Sequence, residues 1–169
     1  RSVRSPVETH TRNAGGTVTV LDAARRTDTR VVLASTAAVY GHPDSLPIRE
    51  SDPKRPISPY GVAALAADGY ARTYADCYGL ETVVLRYFNV YGADRRDGAT
   101  DVVSTFAERA RAGEPLVVHG EGSQTRDFVH VDDVVQANVR AATTDDTGRA
   151  FNVGTGEHTS IRSVAQRVR

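Results

Sequence analysis

Two short apolar runs, Val31-Val32-Leu33-Ala34 and Thr82-Val83-Val84-Leu85, constrain this chain more than any other feature. Neither run alternates apolar with polar residues, so each fits a strand covered on both faces. The segments around them have a different period. Residues 6–26 carry Val18, Leu21 and Ala24 at helical spacing, and Ser58–Tyr78 is helical again up to Gly79, which suits a helix end. Helix, buried strand, helix, buried strand is the rhythm of an α/β fold with a doubly wound parallel sheet. The stretch between them, Gly41–Pro59, is rich in Pro, Asp and Ser and is expected to be a loop.

The second half has shorter elements. Val102–Ala112 fits a helix closed by Gly113, and Leu116-Val117-Val118 and Asp127-Phe128-Val129-His130 are strand candidates around a glycine turn. Asp132–Ala142 is expected to be helical, Ala150-Phe151-Asn152-Val153 extended, and Ser160 the cap of a last helix, Ser160–Arg169. This half resembles a small added domain. The first residue is not Met and the last expected helix is still running at Arg169, so the chain is expected to be a piece of a longer protein.

Composition narrows the partners. With 21 basic and 21 acidic residues there is no global field to draw in nucleic acid or an anionic membrane. The longest apolar run, Val62–Ala67, is far too short to span a bilayer. Nothing at Arg1 resembles a secretory leader, so a cytoplasmic location is expected. Cys77 is the only cysteine, which excludes an internal disulfide, and it is expected to be a small buried thiol near a helix end. Lys54 is the only lysine, arginine standing nearly everywhere else.

The chemistry-bearing motifs begin with Ala34-Ser35-Thr36-Ala37-Ala38-Val39-Tyr40-Gly41, followed by Ser58-Pro59-Tyr60-Gly61. The end of a buried strand aims Thr36 into a ligand crevice, and a helix start holds Tyr60 rigidly. Together they resemble the extended short-chain dehydrogenase/reductases, the NAD-dependent epimerases and dehydratases of nucleotide sugars. Further resemblances follow in order along the chain. Asn13-Ala14-Gly15-Gly16-Thr17 looks like a family helix whose Asn lies near the cofactor, and Arg86-Tyr87-Phe88-Asn89-Val90-Tyr91-Gly92 like its strand beside nicotinamide and sugar. The segment Gly120–Asp133 is similar to the one that supplies an arginine, here Arg126, to the nucleotide diphosphate, and Phe151-Asn152-Val153-Gly154 looks like a late family strand.

The resemblance implies a Rossmann-like fold: residues 1–92 as the C-terminal part of a dinucleotide-binding domain, and 93–169 as an incomplete substrate-binding segment. It implies Tyr60 and Thr36 as catalytic residues, and Asn13, Ser35, Tyr60, Tyr87 and Phe88 as contacts to NAD. Thr36, Asn89, Val103, His119 and Arg126 are implied for the nucleotide-sugar substrate, expected to be a UDP-sugar. It also implies a homodimer through helices 6–26 and 58–78. The reaction implied is oxidation and re-reduction of the sugar 4-position. Dehydratase relatives carry acidic residues where this chain has Ala37-Ala38, and elimination needs an added proton donor and base, so an epimerase is favoured.

Taken singly, these residues have plainer readings. Tyr60 alone is a helix-start tyrosine, Arg126 a surface ion-pair partner and Asn89 a loop cap. Within the motif, the planar fork of Arg126 suits paired phosphate oxygens. His130, Asp132 and Asp133 suggest a metal less than a helix start, where a carboxylate complements the dipole. Gly154-Thr155-Gly156 is a fragment of a phosphate-loop pattern, here expected to be a turn.

Two departures bear on activity. The glycine-rich dinucleotide loop of the family is absent from these residues, which is expected to leave both apolar strands short of sheet neighbours and the isolated chain poorly soluble. The family's Tyr-x-x-x-Lys pattern reads Tyr60-Gly61-Val62-Ala63-Ala64. Residues four apart share a helix face, which is how the lysine approaches the tyrosine. A free tyrosine, with a pKa of about 10, is ionised in roughly one molecule in a thousand near pH 7, so loss of that lysine could cost about 10³-fold. Lys54 lies in the preceding loop, away from that helix face. An epimerase is therefore expected with a weakened base, the alternatives being a nucleotide-sugar-binding pseudoenzyme or a gene remnant.

Overall fold

The computed structural model describes residues 2–92 and 101–168. In chain order it contains α1 (Pro6–His10), a π-helical turn (Thr11–Gly15), α2 (Gly16–Thr27), β1 (Val31–Thr36), a 3₁₀ turn (Ala37–Val39), α3 (Pro59–Tyr78), β2 (Thr82–Tyr87) and β3 (Asn89–Tyr91). It continues with α4 (Val102–Arg111), β4 (Thr125–Arg126), β5 (Phe128–His130), α5 (Val131–Ala141), β6 (Arg149–Val153), β7 (Thr159–Ser160) and α6 (Ile161–Val168). The expected strands and helices are found, with ends shifted by one or two residues, except at Leu116-Val117-Val118. The last helix is described to Val168, and Arg169 lies outside the described residues.

The chain divides into two compact units, Arg1–Tyr87 with Gln136–Val153, and Phe88–Val135 with Gly154–Arg169. This differs from a single cut after residue 92, next to residues 93–100 that lie outside the described set. The reason is β6, which returns to pair with β2.

The first unit is built on a parallel sheet of order β1-β2-β6. Its register runs from Val31↔Thr82 to Thr36↔Tyr87 on one side and from Val83↔Arg149 to Tyr87↔Val153 on the other. Leu21 and Ala24 of α2, Ala71 of α3, Leu80 and Val84 form one apolar cluster, against which Val31, Leu33, Tyr74 and Ala150 pack. Each Leu or Val so buried contributes roughly 1.5–3 kcal/mol. Helix α3 ends as its sequence predicts, with Gly79 left-handed at φ 68° and its N–H on the Ala75 carbonyl at 2.9 Å.

The two apolar runs part company here. Thr82 to Arg86 are all buried, while Val31, Val32 and Leu33 are half-buried and Ala34 is exposed. The expectation that both strands lack neighbours is corrected: β2 is the inner strand, flanked on both sides, and β1 has β2 on one side. Cys77 also departs from expectation. It is exposed in the last turn of α3, just before the helix ends at Gly79.

In the second unit β3 pairs in parallel with β5, and β4 antiparallel with β7. Phe106 of α4 and Ile161 and Val164 of α6 form its apolar cluster, joined by Val102, Val103, Leu116, Val118, Phe128, Ala165 and Val168. Leu116-Val117-Val118 is not a strand. Its side chains alternate, Leu116 and Val118 inward and Val117 exposed, but no ladder partner lies beside it among the described residues. Ser160 caps α6 as expected, its Oγ accepting the Ser163 N–H at 3.1 Å. Asp132 and Asp133 stand in the first turn of α5.

Candidate active site

At the end of β1, Thr36 passes from extended backbone into the 3₁₀ turn, and its Oγ1 accepts the Ala38 N–H at 3.2 Å. That leaves the hydroxyl its own proton and a second lone pair. The start of α3 is fixed by Ser58, whose Oγ accepts the Gly61 N–H at 3.1 Å, and by Pro59 in the first turn. Tyr60 follows, 42% exposed.

Gly61 brings these two pieces together. A Cβ at this position would stand 2.7 Å from the Ala38 carbonyl oxygen and 2.9 Å from the Pro56 Cβ. The helix that carries Tyr60 therefore rests directly on the turn that follows Thr36, and only glycine permits that approach. Ser35, one residue before Thr36, is buried, and its Oγ has no hydrogen-bond partner among the described residues. A hydroxyl left in that state costs about 1–3 kcal/mol, so the site fits a ligand that supplies a polar partner there.

The position four residues after Tyr60 is closed. Ala64 is 8% exposed and packs with Val39 and Tyr40, with Ala37, Ile48 and Leu65 around them. Lys54 is engaged elsewhere: its ammonium donates to the Glu50 carbonyl and lies 5.8 Å from the centre of the Tyr40 ring. Burial, with the charges of Arg86 and Arg72, holds its pKa below the ordinary lysine value.

The same unit holds a buried polar network that the motifs do not announce. Arg86 and Asp68 are 2% and 0% exposed, and Arg86 Nε donates to Asp68 Oδ2 at 2.7 Å. Arg86 Nη1 donates to the Tyr40 hydroxyl at 2.8 Å, which donates in turn to Asn152 Oδ1 at 2.7 Å. Asn152 reaches the loop before α3, its Nδ2 donating to the Ile48 carbonyl at 3.0 Å and its N–H to Glu50 Oε1 at 2.9 Å. Burial raises the Tyr40 pKa, opposed by the hydrogen bond and charge of Arg86. Burial alone would lower that of Arg86, but the hydrogen bond and charge of Asp68 outweigh it and raise it. One clue stands in the sequence: an arginine directly after an apolar strand run must be paired if it is buried.

Three further expected cofactor contacts have partners of their own. Asn13 lies in the π-helical turn, its Nδ2 donating to the Thr9 carbonyl at 2.8 Å. The Tyr87 hydroxyl donates to Asn138 Oδ1 at 2.9 Å. Phe88, in the second unit, lies beside Gly154.

The second unit holds a pocket of about 320 Å³, lined by Asn89, His119 and Arg126 and by Asp101, Val102, Phe106, Val117, Gln124 and Phe128, among others. Three of the expected substrate residues meet here. Val103 does not line the pocket; it packs in the apolar cluster, and Val102 takes the lining position. Asp101, which no motif singled out, caps α4, its Oδ1 accepting the Ser104 N–H at 2.9 Å. Arg126 is exposed, with Nη1 on the Thr125 carbonyl at 2.7 Å. His130 accepts the Asp132 N–H at 3.3 Å and packs edge-on against Tyr91 at 5.2 Å.

No helix among the described residues is long and apolar enough to cross a membrane. The UDP-glucose 4-epimerase of Mycolicibacterium smegmatis is 42% identical over 168 residues, covering 97% of this chain and 53% of that protein. The crystal structure of the Thermotoga maritima UDP-glucose 4-epimerase with UDP-glucose superposes with a TM-score of 0.93 at 35% identity, covering 99% of this chain and 55% of that one. The Thermus thermophilus UDP-glucose 4-epimerase in complex with NAD gives a TM-score of 0.88 at 37% identity, covering 99% and 56%. The chain thus spans about half the length of the relatives it matches. The profile of the NAD dependent epimerase/dehydratase family matches residues 1–154, and the chain belongs to that family.

Proposed function

We propose that this chain is the part of an NAD-dependent UDP-sugar 4-epimerase that reads the nucleotide sugar and exchanges the proton of its 4-hydroxyl. The observation that carries this reading is the seating of the Tyr60 helix on the Thr36 turn through Gly61. In this reading Thr36 holds the substrate hydroxyl with its remaining proton and lone pair. The Tyr60 oxygen takes the hydroxyl proton in one direction and returns it in the other. Asn89, His119 and Arg126 bind the nucleotide end, with Arg126 set to pair with diphosphate oxygens. NAD, when bound, supplies the hydride exchange. Ser35, with a buried hydroxyl in need of a partner, and Asn13, Tyr60, Tyr87 and Phe88 are the residues of this chain proposed to face it.

The packing of Ala64 favours a second reading. With that position filled by apolar contacts and Lys54 held in its loop, Tyr60 lacks the cation that makes it a base. The chain then binds nucleotide sugar without turning it over. A homodimer is proposed through α1, α2 and α3, supported by the exposed apolar side chains Val7, Val20, Val62 and Tyr70, and a cytoplasmic location accompanies a nucleotide-sugar substrate.

Calorimetric titration with UDP-glucose, beside a coupled assay of UDP-galactose conversion with NAD, separates the readings. Binding with turnover supports the epimerase. Binding without turnover supports the second reading, and no binding by folded protein contradicts both.

A further inference from the structure

The aspartate after Arg126 makes more fixed contacts than its place in a motif suggests. Asp127 Oδ1 accepts the Thr155 N–H at 2.9 Å and the Thr155 hydroxyl at 2.8 Å, and Oδ2 accepts the Gly156 N–H at 2.8 Å. The turn Gly154-Thr155-Gly156, which resembles a fragment of a phosphate loop, thus binds an anion of the chain itself. The fit is close: a Cβ on Gly154 would stand 2.6 Å from Asp127 Oδ2 and 3.1 Å from the Phe88 ring. On its main-chain side, the Asp127 carbonyl accepts both the Asn89 N–H and the Asn89 Nδ2–H, each at 3.0 Å.

One residue therefore joins the turn after β6 to the amide of Asn89, a pocket-lining side chain. Three charge-assisted bonds hold the carboxylate, and a carboxylate so held fixes the peptide unit whose carbonyl receives the Asn89 side chain. We infer that Asp127 is a positioning residue for Asn89: locked by the Thr155–Gly156 turn, it presets the Asn89 amide for nucleotide-sugar binding. The inference rests on the reading that this pocket binds a nucleotide sugar, and it goes beyond that reading by naming what orients the pocket and how.

The test pairs Asp127→Asn, which removes one acceptor and the charge, with the milder Thr155→Val, which removes the hydroxyl's bond to Asp127 and the one it accepts from the Glu157 N–H. The first readout is the Asn89 side-chain NH₂ signal by NMR, with its relaxation, in the ligand-free chain. Expected is one ordered pair in the parent and a shifted, more mobile pair in both variants. Unchanged signals in both overturn the inference, whether or not any nucleotide binds. The second readout is UDP-glucose affinity. Asn89→Ala and Asp127→Asn are each expected to weaken it about tenfold, and the double variant no further, because the two changes remove one interaction. Fully additive losses overturn the positioning role. If Asn89→Ala leaves affinity intact, the nucleotide-sugar reading of the pocket fails, while the NMR result still decides whether Asp127 orders Asn89.

Discussion

The region around Tyr60 and the pocket of the second unit hold their candidate side chains in opposite ways. In the first, an exposed tyrosine stands at the start of α3, in the same unit as a buried network in which Arg86, Asp68, Tyr40 and Asn152 are linked by hydrogen bonds. In the second, Asn89, His119 and Arg126 stand over an apolar cluster of Phe106, Ile161 and Val164. On the proposed reading, the difference separates recognition from chemistry. The pocket gathers three of the residues expected to read a nucleotide sugar, whereas Tyr60 has an apolar Ala64 on its helix where a base would need a cation. A buried ion pair is also weak evidence of added stability, since desolvation offsets much of its attraction. What the network does is fix the loop before α3 through Ile48 and Glu50, and with it the helix start that carries Tyr60.

The largest expected effect tests that network. Asp68→Ala leaves the Arg86 guanidinium buried without its carboxylate and should cost about 3–5 kcal/mol, read as a fall in the urea midpoint. A loss below about 1 kcal/mol would mean that the pair is dispensable and the contrast between the regions is wrong. Next is Ala64→Lys, which forces a long cationic side chain into the cluster with Val39 and Tyr40. Overpacking at a closed site costs about 1–3 kcal/mol, and chemical denaturation of the variant measures it. No loss would show that this helix face has room for a lysine after all.

The smallest effect concerns pH. Burial raises the Tyr40 pKa, so the folded state holds that proton more tightly than the unfolded chain does. The stabilisation is fully present below the unfolded value of about 10 and is lost as pH rises through the folded one. Tyr40→Phe should lower stability by about 1–2 kcal/mol near neutrality, through the unmet Arg86 and Asn152 partners. It should also lessen the alkaline decline. Thermal melts from about pH 9 to 11 compare the two proteins, and parallel declines would remove Tyr40 as a cause.

Much of this was legible in local pattern, because local pattern governs it. Ser58 and Gly79 bound α3, Thr82–Leu85 is a strand covered on both sides, and Ser160 caps α6. Burial of β1 was not legible: Val31–Ala34 is as apolar a run as Thr82–Leu85 of β2, and its place in the sheet, paired with β2 alone among the described residues, distinguishes it. The π-helical turn at Thr11–Gly15 carries no compositional mark, since it sits inside an uninterrupted helical spacing. Leu116–Val118 alternates like a strand, but alternation does not supply a ladder partner. The Tyr40–Arg86–Asp68–Asn152 network escaped notice because its bonds join residues 18, 46 and 112 positions apart, and no spacing rule reaches that far. Ala64 was visible as a missing lysine, but its burial against Val39 and Tyr40 was not.

The most direct test of the account is a paired calorimetric titration of UDP-glucose into this chain and its Arg126→Ala variant. Saturable binding is expected for the parent. The variant should bind roughly 10- to 100-fold more weakly, the loss expected when hydrogen bonds to a charged group are removed. Equal affinity in the two, or no binding by the folded parent, would contradict a nucleotide-diphosphate site in the second unit.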